Sequence, residues 1–234
     1  MQHSAIAIPD DNDIDIWFFR LNRADRSLLS YEERDRSCRI RSFKARQDFV
    51  AARTAVRTIL SRYLGVQPQT VDIVVNDAGR PSLACGALSF NHTRSGDFGA
   101  LAVARGCALG VDLESTTVNA DLFSVSREHF SVAEQHSMAG LNDIAWFDAF
   151  YQRWTAKEAV VKALGRGIRG PLSTIEIDVK DPGAPVWRSG SLTLRSMAVR
   201  ADLRLSVATG LTAPNLHIRD VADARDITQP GAAA

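Results

Sequence analysis

Trp154-Thr155-Ala156-Lys157-Glu158-Ala159-Val160-Val161-Lys162-Ala163-Leu164-Gly165 reads as the last turns of a long amphipathic helix stopped at a glycine. Outward from it, the helical pattern extends back to about Asp143, along an apolar stripe through Phe147, Phe150 and Tyr151. Before that, Ser131 and Glu134 have capping-box spacing, with Phe130 at the staple position. The first half of the chain carries the same plan. Ser30 precedes Glu32 and Glu33 as a helix cap, and a long helical region follows with Phe43, Phe49, Ala52, Val56, Ile59, Leu60 and Tyr63 on one stripe, ending at Gly65. Ala52-Arg53-Thr54-Ala55-Val56 even echoes Ala156-Lys157-Glu158-Ala159-Val160. Strands are expected at 14–21, 71–75, 88–90, 98–104, 107–113 and 175–179, with more between Leu192 and Val207. The expectation is an α/β (α+β) fold of two pseudo-symmetric α/β halves with the active site at their interface. Residues 1–107 form one half, 108–222 the other, and 223–234 a disordered tail.

On the helix, Trp154, Glu158 and Lys162 fall at i, i+4 and i+8, so they share one face. A Glu–Lys surface pair would explain that spacing equally well. However, the face continues an apolar stripe, where a carboxylate and an ammonium need partners or a ligand. A second group is Gly110-Val111-Asp112-Leu113-Glu114, entered through apolar residues. Strand alternation turns Asp112 and Glu114 to the same side, and two adjacent carboxylates repel unless a cation lies between them. Oxygen ligands of this kind suit Mg²⁺. The third group is basic: Arg34, Arg36, Arg39, Arg41, Lys44, Arg46, Arg53, Arg57 and Arg62 crowd one stretch, and Arg80 sits in a Gly-Arg-Pro turn. A subset of converging arginines could hold a phosphate, while the rest face solvent.

Bulk composition narrows the field. The chain has 234 residues, with 28 Lys plus Arg against 27 Asp plus Glu, a balance that offers no electrostatic footprint for nucleic acid. No apolar run approaches the roughly 20 residues that cross a bilayer, and the first residues lack a signal-peptide pattern. Cys38, Cys85 and Cys107 form no metal-ligand or CxxC spacing and fit a reducing compartment. The reading is a cytoplasmic protein with no membrane or nucleic-acid partner.

Taken in register, four motifs resemble the Sfp-type 4′-phosphopantetheinyl transferases. They are Gly79-Arg80-Pro81, Phe90-Asn91-His92-Thr93-Arg94-Ser95, Gly110 to Glu114, and Trp154 to Lys162, with Phe130 to Glu134 similar to a further family segment. The resemblance covers about residues 29–180. It implies transfer of the phosphopantetheine arm of coenzyme A to a serine of an apo acyl, polyketide or peptidyl carrier protein, with release of adenosine 3′,5′-bisphosphate. Asp112, Glu114 and Glu158 would hold Mg²⁺, and Glu158 would also act as the base. Lys162 would neutralise the pyrophosphate. Arg46, Arg53, Thr54 and Arg80 would grip the nucleotide end, and Thr93 and Arg94 would touch the pyrophosphate. Arg94 departs from the pattern, since the family usually has histidine there. A permanent cation keeps the binding role but cannot shed a proton. Two fused halves imply a monomer. The competing readings are a non-catalytic module binding coenzyme A or a carrier protein, and another Mg²⁺-dependent phosphotransferase. The second lacks a phosphate-cradling Gly-x-x-x-x-Gly-Lys-Ser/Thr loop.

Overall fold

The computed structural model describes residues 6–165, 171–181, 183–187 and 190–221. In chain order it runs β1 (Asp13–Arg20), α1 (Tyr31–Arg39), α2 (Phe43–Leu64), β2 (Ile73–Val75), β3 (Pro81–Leu83), β4 (Ser89–Ser95), β5 (Phe98–Ala104) and β6 (Leu109–Ser115). Then follow α3 (Asp121–His129), α4 (Val132–Met138), α5 (Asp143–Leu164), β7 (Ile177–Asp178), β8 (Val186–Trp187), β9 (Thr193–Arg200), β10 (Leu203–Thr209) and β11 (Asn215–Val221). The mixed α and β pattern expected from the sequence is present. Three details refine that expectation. The helical region after Ser30 breaks at Ile40–Ser42, where Ser42 starts a second helix by accepting the Ala45 N–H. The apolar run from Leu192 is a hairpin, β9 and β10. Strand β11 is an addition to the expected strands, although Asn215 to Arg219 alternates polar and apolar residues. The expected tail, 223–234, lies outside the described residues.

One sheet has the order β11-β1-β5-β4 and the other β6-β10-β9-β8-β7, with β2 and β3 forming a separate hairpin. Alternation in β1 builds the layers. Trp17 and Phe19 pack with Val56, Ile59 and Leu60 of α2, while Ile14, Ile16 and Phe18 face Val111, Leu113, Leu205 and Val207 of the second sheet. On that sheet's far side lie Ala156, Ala159, Val160 and Ala163 of α5. The order is therefore helix, sheet, sheet, helix. Strand β11 comes from the end of the chain yet pairs in parallel with β1. Arg219 holds it there by donating to Asp15 Oδ1 (3.0 Å), and the other Asp15 oxygen accepts from Tyr63 of α2.

Each long helix carries one deeply buried cation, at equivalent positions in two 22-residue helices. Arg57 bonds Glu33 of the Ser30 capping box (2.5 Å) and the carbonyls of Pro68 and Val71. Lys157 bonds Glu134 of the Ser131 capping box (2.8 Å) and the carbonyls of Leu172 and Ile175. In both places one carboxylate caps a short helix and neutralises a cation that staples the 3₁₀ turn after the long helix. Breaking such a pair leaves a buried charge uncompensated, which costs about 3–5 kcal/mol, whereas removing both charges costs less. Urea denaturation should therefore show K157M destabilised by about 3–5 kcal/mol and K157M/E134Q substantially recovered. A single variant within about 0.5 kcal/mol of the parent would contradict this account.

Candidate active site

Strand β6 meets α5 at unusually close range. A Cβ on Gly110 would lie 2.1 Å from the Ala159 carbonyl oxygen and 2.5 Å from the Ala163 nitrogen, so only glycine lets the strand and helix backbones touch. Leu109, Val111 and Leu113 point into the core between the sheets, which turns Gly110, Asp112 and Glu114 towards α5. The two carboxylates are thereby carried to the face of α5 that bears Trp154, Glu158 and Lys162.

Asp112 is 3% exposed. Its Oδ1 accepts from Lys162 Nζ (2.6 Å) and Thr93 Oγ1 (3.1 Å). Its Oδ2 is buried with no partner. The ammonium also reaches Thr93 Oγ1 at 3.1 Å. Strand β4 holds β6 in place through a ladder of side chains. Asn91 Oδ1 accepts the Val111 N–H (2.9 Å), Thr93 donates to Asp112, and Ser95 Oγ donates to Glu114 Oε2 (2.7 Å) while accepting the Ser115 N–H (3.0 Å). Asn91 and Ser95 stand in the Phe90 to Ser95 motif, which by itself assigns them no role. Their signal is the polar alternation Asn-x-Thr-x-Ser on a strand that borders an apolar core.

The other residues considered fall in different places. The Arg80 guanidinium donates to the carbonyls of Lys162 (2.7 Å), Ala163 (2.8 Å) and Leu109 (3.1 Å). It thus caps the C-terminal end of α5, where cations and donors are favoured, and pins the Gly79–Pro81 turn against that end. Thr54 is occupied by Asp25, accepting its N–H (3.0 Å) and donating to its carbonyl (3.2 Å). Arg46 is half-exposed with its guanidinium 5.6 Å from the Phe43 ring centre. Arg53 is largely buried, 3.6 Å from Glu33, with Nη1 unpartnered. Arg94 is exposed at the end of β4. The structure thus gathers Thr93, Asp112, Glu114, Glu158 and Lys162, and leaves Arg46 and Thr54 apart from them. A cavity of about 320 Å³ opens beside this group, walled by Arg80, Pro81, His92, Glu158 and Lys162. Among the described residues, no three His, Cys, Asp or Glu side chains are grouped so as to hold a metal ion by themselves.

Burial raises the pKa of all three carboxyls. For Glu114 and Glu158 the negative charge of Asp112 adds to the effect, and for Asp112 the Lys162 ammonium opposes it. A folded-state pKa above the unfolded one means that the folded protein binds the extra proton. The associated stability is then present below the unfolded value and is lost as pH rises through the raised one. Glutamine at 158 cannot ionise. Without added divalent cation, E158Q is expected to melt about 1–3 °C above the parent at pH 8. The gain should disappear near about pH 4, below the ordinary glutamate value. A lower melting temperature for E158Q at pH 8 would count against this electrostatic picture.

Comparison with known proteins identifies relatives of the chain. Residues 108–208 match the family model for the 4′-phosphopantetheinyl transferase superfamily. The chain is 31% identical over 208 residues to the 4′-phosphopantetheinyl transferase HetI of Nostoc sp. (strain PCC 7120), across 80% of this chain and 87% of that protein. It is 32% identical over 152 residues to the slr0495 protein of Synechocystis sp., across 64% of this chain and 62% of that one. To the 4′-phosphopantetheinyl transferase of Bacillus subtilis it is 26% identical over 129 residues, across 55% and 56%. The family-model match contains β6 with its two carboxylates and all of α5, and the likeness to HetI extends over most of both chains. On these grounds the chain belongs to the 4′-phosphopantetheinyl transferase superfamily.

Proposed function

We propose that this protein transfers the 4′-phosphopantetheine group of coenzyme A to a serine hydroxyl of an apo carrier protein and releases adenosine 3′,5′-bisphosphate. The observation that carries the reading is Asp112. Its carboxylate is buried, one oxygen is neutralised by Lys162, and the other has no partner within the chain; Lys162 and Glu158 line the neighbouring cavity. A buried carboxylate oxygen without a partner is costly, and a cation beside it would supply one. Asp112, Glu114 and Glu158 offer only oxygen donors, and one or two of them would suffice for Mg²⁺, which commonly takes one or two carboxylates and fills its shell with water and phosphate oxygens. When bound, Mg²⁺ supplies charge neutralisation for the diphosphate.

The protein's own groups then divide the work. The serine oxygen attacks the phosphorus that carries the pantetheine arm, and the bond from that phosphorus to the bridging oxygen breaks. The bridging oxygen leaves with adenosine 3′,5′-bisphosphate. Glu158 accepts the hydroxyl proton, and Lys162 donates hydrogen bonds to the diphosphate as negative charge shifts onto the leaving oxygen. Such transfers depend on in-line positioning and charge stabilisation more than on covalent chemistry by the enzyme. Thr93 and Arg94 of β4 serve the diphosphate, and Arg46, Arg53 and Arg80 the nucleotide end. Arg80 does so with the donors that its helix-capping bonds leave over. The same proposal includes a cytoplasmic monomer, for which the absence of a membrane-crossing helix among the described residues raises no obstacle. It also includes two halves, 1–107 and 108–222. The matching Arg57 and Lys157 staples support that division.

Intact-mass spectrometry of an apo carrier protein incubated with the enzyme, coenzyme A and Mg²⁺ tests the reading. The carrier should gain one phosphopantetheine, and chelation should abolish the gain. E158A should slow it by about 10²-fold or more, the range for loss of a general base. No gain on acyl, polyketide and peptidyl carriers, with coenzyme A bound and intact, would replace the transferase with a binding module.

A further inference from the structure

The alternation that turns Asn91, Thr93 and Ser95 towards β6 turns Phe90, His92 and Arg94 the other way. Phe90 packs in the core beneath α2, and His92, the next residue on that face, forms part of the cavity wall shared with Arg80, Glu158 and Lys162. Its Nδ1 is buried and has no hydrogen-bond partner. Arg53, on α2, likewise keeps a buried Nη1 without an acceptor. A buried polar atom left unpaired at a cavity wall is costly unless a ligand or water completes it. Burial, followed by the charges of Arg53, Lys162 and Arg94, pushes the His92 imidazole down to about 3, so the ring is neutral and carries a single N–H. A neutral donor ringed by three cations suits an anionic acceptor.

Building on the coenzyme A reading, we propose that His92 is a specificity-determining residue that donates a hydrogen bond from Nδ1 to a phosphate oxygen of the nucleotide, with Arg53 Nη1 supplying a second donor from α2. The phosphate is either the 3′-monoester or the diphosphate. His92 is distinct from Arg94, the residue at the family's usual histidine position. Arg94 lies exposed at the strand end, whereas His92 reaches the cavity from within the strand.

Calorimetric titration of the intact protein with coenzyme A and with dephospho-coenzyme A tests this. H92L should bind coenzyme A at least about tenfold more weakly, as expected for loss of a hydrogen bond to a charged group. H92N, whose amide nitrogen can stand near Nδ1, should recover most of the affinity. In turnover, H92L should raise KM for coenzyme A, with kcat within about twofold if the phosphate is the 3′-monoester and lowered if it is the diphosphate. A penalty confined to coenzyme A assigns the 3′-phosphate, and one shared with dephospho-coenzyme A assigns the diphosphate. Should H92L fail to fold, ¹⁵N-histidine spectra of the parent protein give the answer, because coenzyme A, which carries both candidate phosphates, must shift the His92 Nδ1 signal. Unchanged affinity in H92L, or an unmoved Nδ1 signal in the presence of bound coenzyme A, overturns the assignment. Failure of the parent protein to bind coenzyme A would instead remove the functional reading on which it rests.

Discussion

The site depends on keeping a charged carboxylate almost completely out of water. Asp112 tolerates burial because Lys162 and Thr93 converge on one oxygen, while its second oxygen is buried without a partner within the chain. That arrangement needs α5 to lie directly on β6. The contact is made possible by Gly110 on the strand and by Ala156, Ala159 and Ala163 on the helix, since any larger residue at 110 would collide with helix backbone. It also needs β4 to hold β6 from the other side, which the Asn91, Thr93 and Ser95 side chains do rung by rung. The catalytic proposal therefore rests on backbone proximity first and on titratable chemistry second.

Rigidity around the site comes from cations whose hydrogen bonds are committed largely to the fold. Arg57 and Lys157 are used up by capping-box carboxylates and by the carbonyls of the 3₁₀ turns that follow each long helix. Arg80 is largely committed to the carbonyls at the end of α5 and of Leu109, so the turn that carries it forms a fixed wall of the cavity. Positioning groups of this kind hold reacting residues to the small tolerances that phosphoryl transfer demands.

Much of this was legible in the sequence. Both long helices, their glycine stops at Gly65 and Gly165, the helix cap at Ser30 and the capping box at Ser131 were visible because local rules determine them. The placement of Asp112 and Glu114 on one strand face followed from period-two alternation. Other features were hidden for physical reasons. Lys157 stands beside Glu158 in a charged motif, and nothing local separates a buried staple from a reactive group. Arg57 sits in a run of arginines that otherwise read as a solvated face. The parallel pairing of β11 with β1 is a contact between the two ends of the chain, beyond the reach of any local pattern. Thr54 resembled a phosphate ligand, but its hydroxyl is held by the Asp25 backbone.

The unpartnered Asp112 oxygen is the central claim, and metal-linked binding tests it most directly. Coenzyme A affinity should be measured calorimetrically with and without Mg²⁺ for the parent protein and for D112N. The parent should bind coenzyme A more tightly when Mg²⁺ is present, and D112N should lose that dependence while its secondary structure is retained. Equal Mg²⁺ dependence in the two proteins would show that Asp112 does not hold the cation, and the account of the site built around it would fail.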